Sequence, residues 1–220
     1  NLVRENVGNS SIYVTGNTVV DALASVVSNL EKDIQYREKL DKSLGLEKTR
    51  KNILVTAHRR ESFGEGFERI CDAILRIAKR PDVTIFYPVH LNPRVKDTMT
   101  RRLKGSSNIK LIEPQQYKPF VHLLDRSYLV LTDSGGIQEE APTLGKPVLV
   151  MRETTERPEA VEAGTVKLVG TDPERIVSQV ELLLDKPEMY QRMSKAHNPY
   201  GDGKAAQRIC KHVINLLTKK

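Results

Sequence analysis

Two short stretches of this chain carry the residue types that handle phosphate. One is Thr132-Asp133-Ser134-Gly135-Gly136, which follows the apolar run Leu129-Val130-Leu131 and precedes Ile137-Gln138-Glu139-Glu140. The apolar run reads as a buried parallel strand, and the sequence after it as a helix with Ile137, Ala141 and Leu144 on one side. A strand therefore hands over to a helix through a tight turn. Gly135 and Gly136 let a ligand reach the backbone with no Cβ in the way. Ser134 can cap the helix, and the N–H groups at such a start carry roughly half a positive charge, which suits phosphate. Glu140 falls one turn past Gly136 on the same face. A carboxylate there would repel phosphate but suits a pair of sugar hydroxyls one step further along a nucleotide. An ordinary serine-capped joint would have the same sequence.

The second stretch is Thr56-Ala57-His58-Arg59-Arg60-Glu61-Ser62-Phe63-Gly64. His58 sits at a strand end, where side chains point into the crevice above a sheet, and can donate a proton or a hydrogen bond near neutral pH. Arginine holds phosphate through its planar fork; Arg60 reads instead as a surface partner of Glu61. Two further loops supply complementary groups. Gln115 and Phe120 offer an amide and a ring that could hold a flat base, although Phe120 equally suits a core anchor. Arg157 precedes Pro158 at a helix start, where a cation opposes the helix dipole unless an anion binds. His90, in Val89-His90-Leu91-Asn92-Pro93, lies at another strand end beside a helix cap.

The elements that must position these groups follow from periodicity. Strands are expected at 11–15, 52–57, 83–89, 109–112, 129–132, 147–151 and 165–169, with helices between them. Asn17 can cap the first helix, whose apolar face is Val19, Val20, Leu23, Val26, Val27 and Leu30. Repeated strand–helix–strand spacing implies an α/β fold, a Rossmann-like parallel sheet with helices on both faces. Ligands bind outside the carboxyl ends of such strands, where the loops above lie. We divide the chain into leading helices at 1–50, a Rossmann-like domain at 51–203 and a terminal helix at 204–220.

Composition narrows the function. The formal charge is +7, but the basic residues are scattered, and seven Tyr, four Phe and no Trp offer little to stack on bases, so nucleic acid is not expected as a partner. A hydrophobic content of 39% without an apolar run of about 18 residues gives no membrane span. Cys71 and Cys210 are isolated, forming neither a disulfide framework nor a metal site, so a reducing cytoplasm fits and no metal or cofactor is expected. The chain opens at Asn1 without an initiator Met, which suggests a piece of something longer.

Several segments together resemble the non-hydrolysing bacterial UDP-N-acetylglucosamine 2-epimerases. They are Val-Thr-Gly-Asn-Thr at 14–18, Thr-Ala-His-Arg-Arg-Glu-Ser-Phe-Gly at 56–64 and Pro-Val-His-Leu-Asn-Pro at 88–93. Thr-Asp-Ser-Gly-Gly-Ile-Gln-Glu-Glu-Ala-Pro at 132–142, Gly-Lys-Pro-Val-Leu at 145–149, Thr-Thr-Glu-Arg-Pro-Glu at 154–159 and Asn-Pro-Tyr-Gly-Asp-Gly at 198–203 complete the set. The resemblance runs nearly end to end but covers only the family's C-terminal half. It implies one half of a glycosyltransferase-B-type two-domain fold, with the active site between two Rossmann-like halves. It also implies interconversion of UDP-GlcNAc and UDP-ManNAc, through loss of UDP and its return with inversion at C2. On that resemblance Ser134, Gly135 and Gly136 would hold the diphosphate and Glu140 the ribose hydroxyls. Gln115 and Phe120 would border the uracil, and Arg157 would help bind the UDP-sugar. His58 would face the diphosphate as an activity-critical residue. Arg59 and His90 match residues of a regulatory site for a second UDP-GlcNAc, and the intact protein would be a homodimer.

The family's acid/base carboxylates belong to the N-terminal half, and no matched pair that could move the C2 proton stands in this sequence. The chain by itself is therefore expected to be inactive. The terminal helix, with Val213, Leu216 and Leu217, is expected to pack toward that missing half. A glycosyltransferase of the same fold, or a UDP-sugar sensor, are the alternative readings.

Overall fold

The computed structural model describes residues 2–47 and 49–218. Six strands form one parallel sheet: β1 (Lys51–Thr56), β2 (Val83–Pro88), β3 (Ile109–Ile112), β4 (Leu129–Thr132), β5 (Val148–Val150) and β6 (Val166–Leu168). Their order is β3-β2-β1-β4-β5-β6. The crossovers carry α3 (Glu65–Ile77), α4 (Pro93–Leu103), α5 (Tyr117–Asp125), α6 (Gly135–Thr143) and α7 (Pro158–Glu162). Before the sheet come α1 (Thr18–Lys32) and α2 (Ile34–Leu44); after it come α8 (Pro173–Asp185), α9 (Pro187–Ser194) and α10 (Ala205–Thr218).

Side chains alternate along each strand and feed two cores. Ile53, Val55, Ile85, Leu131 and Leu149 pack with Phe67, Ile70 and Ile74 of α3, Met99 of α4 and Ile176 and Val180 of α8. Leu54, Phe86, Val130, Val148 and Val150 face the other way, onto Leu123 and Leu124 of α5, Ile137 and Ala141 of α6 and Ala160 of α7. With both faces covered, the central strands read as continuous apolar runs. Helices α1 and α2 belong to the second layer, since α1 packs on α5 and α6, and α2 on α5. Asn17 caps α1 as expected, its Oδ1 accepting from the Val19 N–H at 3.0 Å. Among the described residues no helix is long and apolar enough to cross a membrane.

One expected strand is missing. Ser11 ends a short 3-10 helix, residues 12–17 form neither helix nor strand and lie outside the sheet, and Val14 is 95% exposed. A strand needs a ladder partner, and this segment instead runs beside α10. There Arg208 Nη1 donates to Thr15 O at 3.3 Å, and the Tyr13 and His212 rings lie 4.3 Å apart. Asp21 of α1 accepts the Ala205 and Ala206 N–H groups at 3.1 and 2.9 Å, fixing the start of α10. Beyond that anchor Val213, Ile214, Leu216 and Leu217 are exposed.

The strand order reverses between β1 and β4, whose neighbours lie on opposite sides of the sheet. Crossovers leave this point in opposite directions, so a crevice opens above the two carboxyl ends. The two phosphate-suited stretches are the loops that leave those ends.

Candidate functional site

At the mouth of the sheet Thr56 of β1 is in register with Thr132 of β4, and their hydroxyl oxygens are 2.6 Å apart. The Ser134 N–H donates to Thr132 Oγ1 at 2.9 Å, turning the chain out of β4. The expected serine cap is not made. Ser134 occupies the N-cap position with φ −85° and ψ 132°, but its hydroxyl bonds no N–H of α6. Thr132 has taken over the turn, so the first N–H groups of α6, at Gly135 and Gly136, carry no side-chain cap.

Two guanidinium groups hang over this helix start. A side chain added at Gly135 would meet Nη2 of Arg59 and Nη2 of Arg157, each at 3.8 Å. Arg157 arrives from the loop after β5, held by the Glu139 carboxylate and by the Glu156 carbonyl at 3.2 Å. Glu139 is itself fixed by Asn17 Nδ2 at 2.8 Å. Arg59 arrives from the loop after β1, its Nε donating to the Asp133 carbonyl at 3.3 Å.

Asp133 is the joint between the loops. It is fully buried, and its Oδ2 accepts the N–H groups of both His58 and Arg59 at 2.7 Å. The buried Tyr87 hydroxyl donates to the Ala57 carbonyl at 2.9 Å and steadies the same loop from below. Burial first, and then the charge of Asp133, hold the Tyr87 phenol well above its ordinary range. A rigid pedestal thus carries His58 to the crevice, where its ring stacks on His90 with centroids 5.3 Å apart and planes 16° apart. His90 Nδ1 accepts the Asn92 N–H at 3.1 Å, and Asn92 in turn caps α4, so the capping neighbourhood read for His90 is real. The two histidines form one wall.

That wall belongs to a cavity of about 250 Å³, lined also by Gln115, Phe120, Ser134 and Ile137. Gln115 Nε2 donates to the Glu113 carbonyl at 2.7 Å. Phe120 packs against the second core and also borders the cavity. Glu140 does not line the cavity. It is 8% exposed, and Tyr117 donates to its Oε1 at 2.8 Å. Burial raises the Glu140 carboxyl above its ordinary range; the Tyr117 bond opposes this and the Glu139 charge adds to it. A larger hollow of about 400 Å³ lies near β6, over Leu149, Leu183, Met189 and Met193. None of the groups above lines it.

Residue types alone do not reveal several members of the site. Asp133 stands in the motif without an evident role, although an acid before Ser-Gly-Gly at a strand end is a signal. Tyr117 carries no such signal. Glu61 does not pair with Arg60; it reaches Nε of the buried Arg152 at 2.5 Å, while Glu156 holds Nη1 of the same arginine at 2.7 Å. Arg152 so ties the loop after β1 to the loop after β5, and Arg60 stays exposed.

Residues 1–214 match the family described as UDP-N-acetylglucosamine 2-epimerase. The chain belongs to that family. It is 58% identical over 217 residues to the UDP-N-acetylglucosamine 2-epimerase of Yersinia pestis and 56% to that of Escherichia coli K12, each match covering 98% of this chain. The matched part is 58% of the length of either relative, so the chain spans little more than half of them. The same holds among solved structures. The Neisseria meningitidis UDP-GlcNAc 2-epimerase bound to UDP-GlcNAc is similar at a TM-score of 0.92 and 45% identity, over 97% of this chain and 58% of that one. The Methanocaldococcus jannaschii enzyme in complex with UDP-GlcNAc and UDP is similar at 0.80 and 34%, over 97% and 57%. These neighbours have the glycosyltransferase-B-type fold, of which this chain is the C-terminal half. The epimerase-family segments at 56–64, 88–93, 132–142 and 154–159 all gather at the carboxyl ends of β1, β2, β4 and β5.

Proposed function

We propose that this chain is the UDP-binding half of an enzyme that interconverts UDP-GlcNAc and UDP-ManNAc. The observation that carries the reading is the uncapped start of α6 beneath the guanidinium groups of Arg59 and Arg157, beside the cavity of about 250 Å³. Backbone N–H groups, a helix dipole and two cations converging on one point suit a diphosphate. On this reading Ser134, Gly135 and Gly136 face the phosphates, with His58 opposite them. Gln115 and Phe120 border the uracil, and Glu140, steadied by Tyr117, takes the ribose hydroxyls. His90 shares a wall with His58 and Arg59 hangs over the start of α6, so a second, regulatory UDP-GlcNAc would sit beside the first.

The reaction breaks the C1–O bond to UDP and the C2–H bond of the sugar, leaving a C1=C2 double bond. Return of UDP to C1 with a proton to the opposite face of C2 inverts that carbon. Groups on both faces of the sugar must move protons. The carboxylates near this mouth are engaged already: Asp133 with two backbone N–H groups, Glu139 with Arg157 and Asn17, Glu140 with Tyr117. The C2 acid and base therefore come from the part of the full-length protein that this chain does not span, and the chain alone turns nothing over. The exposed apolar face of α10 is where that part packs, and the intact enzyme works as a homodimer in the cytoplasm.

Calorimetric titration with UDP, UMP and uridine tests the binding half. UDP should bind well above UMP, and Glu140→Ala should weaken UDP and uridine alike; a folded chain that ignores UDP would refute the reading. For the whole protein, UDP-ManNAc formed from UDP-GlcNAc supports the epimerase. Sugar transfer to an acceptor would mark the glycosyltransferase alternative, release of free ManNAc with UDP a hydrolysing relative, and binding without turnover a sensor. The similarity to the wall teichoic acid polymerase TagF, at 18% identity and a TM-score of 0.59, concerns the fold alone.

A further inference from the structure

We propose that Asp133 and His58 form a carboxylate–imidazole pair that keeps the His58 proton on Nδ1 and turns Nε2 to the cavity, making His58 the proton carrier at the nucleoside diphosphate. The proposal rests on the UDP-binding reading and deepens it, by assigning Asp133 a positioning role beyond that of a loop tether.

The two oxygens of Asp133 have different surroundings. Oδ2 is saturated by the two backbone N–H groups at 2.7 Å. Oδ1 is just as buried and has no hydrogen-bond partner. A carboxylate oxygen left bare in the interior is costly, and such atoms call for a donor. His58 Nδ1 stands 3.4 Å from it. Closing that gap to hydrogen-bond length takes a ring shift of roughly half an ångström. Arg59 Nε donates to the Asp133 carbonyl and not to Oδ1.

With Nδ1 held as donor, Nε2 is the nitrogen left for the cavity that His58 lines. It is a bare acceptor in the neutral ring. An arriving diphosphate draws a proton onto it, and Asp133 balances the imidazolium so formed, as the carboxylate of a catalytic triad does. When the C1–O bond breaks, its electron pair goes to the β-phosphate oxygen. The Nε2–H donates to that oxygen, and the proton is still at hand when UDP returns to C1. No redox partner is needed.

The test is ¹⁵N NMR of the histidine-labelled chain at alkaline pH, with His58 assigned by its disappearance in His58→Gln. The pair is supported by a proton on Nδ1 with Nε2 bare, and by protonation of both nitrogens when UDP is added. A proton on Nε2 with Nδ1 bare overturns it, and this result needs no Asp133 variant to fold. Asp133→Asn then separates positioning from tethering. Its amide oxygen can keep both backbone N–H groups, while its NH₂ faces Nδ1 and forces the proton to Nε2. UDP affinity should fall about tenfold with uridine affinity unchanged, the size of one lost charge-assisted interaction. An unchanged tautomer in that variant overturns the pair even if affinity falls. Failure of the wild-type chain to bind UDP would refute the functional reading alone, since the tautomer is read without ligand.

Discussion

The two ends of the sheet both collect arginines, and they use them differently. At the amino end Arg80, between α3 and β2, is enclosed by acids. Asp82 takes its Nε at 2.9 Å and Nη2 at 3.0 Å, and Asp185 takes Nη1 at 2.8 Å and Nη2 at 2.7 Å. At the carboxyl end Arg59 gives one bond to a backbone carbonyl, and among the described residues no carboxylate pairs with its guanidinium. Its Nη2 stands over an uncapped helix start, 3.8 Å from where a Cβ on Gly135 would lie. A cation neutralised within the protein stabilises it; one aimed at another positive pole waits for an anion. Nothing in the local sequence of Arg59 or Arg80 separates the two cases. The difference lies in what the sheet order places opposite each.

The strongest way to break this contrast is to fill the mouth. Ser134→Tyr puts a ring into the cavity above the start of α6, against the cavity-facing sides of Phe120 and Ile137. UDP affinity should fall by at least about a hundredfold, because the diphosphate and the ring claim the same volume and one lost multi-contact anion site is worth about 3 kcal/mol. The thermal midpoint should stay within about 2 °C of wild type, as for a change at a solvent-open position. Retained UDP binding, seen by calorimetry, would place the ligand elsewhere.

Removing one cation is milder. Arg59→Ala should weaken UDP about tenfold and leave uridine unchanged, since a single guanidinium–phosphate contact is lost. Arg157→Ala should do somewhat more, because it also frees the Glu139 carboxylate beside the anion site. Equal losses for UDP and uridine in either variant would show a collapsed site rather than a missing phosphate contact.

The fold is legible in the sequence because its signals are local. The polar run read from about Pro93 to Leu103 is α4, capped by Asn92, and Asn17 marks the start of α1. Sequence fails where the partner lies far along the chain. Proximity pairs Glu61 with adjacent Arg60, but Glu61 bonds Arg152, 91 residues away, and His58 rests on Asp133, 75 away. The serine cap fails for a related reason: Thr132, set by its register with Thr56, takes the turn first. Residues 11–15 have the composition of a strand, but composition does not supply a neighbouring strand. Resemblance groups Arg59 and His90 apart from His58, whereas in space all three border one mouth. Which loops converge is a property of the order β3-β2-β1-β4-β5-β6, and no single window of sequence contains it.

The amino end supplies the converse measurement. Arg80→Ala should cost about 1 kcal/mol of stability, the upper part of the range for solvent-facing ion pairs with good fork geometry, or roughly 2–4 °C in Tm. UDP affinity should not change. A fall in UDP affinity with Tm intact would erase the distinction between the two ends.

Glu140 gives the smallest effect and the sharpest sign. Its carboxyl is raised chiefly by burial, so the folded chain prefers it protonated. The stabilisation from that preference is complete below the unfolded glutamate pKa and is lost as pH rises through the higher folded value. The carboxylate is therefore the form that its surroundings disfavour. Glu140→Gln keeps an acceptor for Tyr117 and removes the charge, so it should raise Tm at pH 7 by about one or two degrees and by nothing near pH 4. UDP binding should weaken all the same, because a neutral amide accepts less strongly from ribose hydroxyls than a carboxylate does. Stability and affinity moving in opposite directions is what a binding carboxylate predicts. If Glu140→Gln instead lowers Tm at pH 7, the Tyr117–Glu140 pair is a structural clamp, and the ribose must find its partner elsewhere.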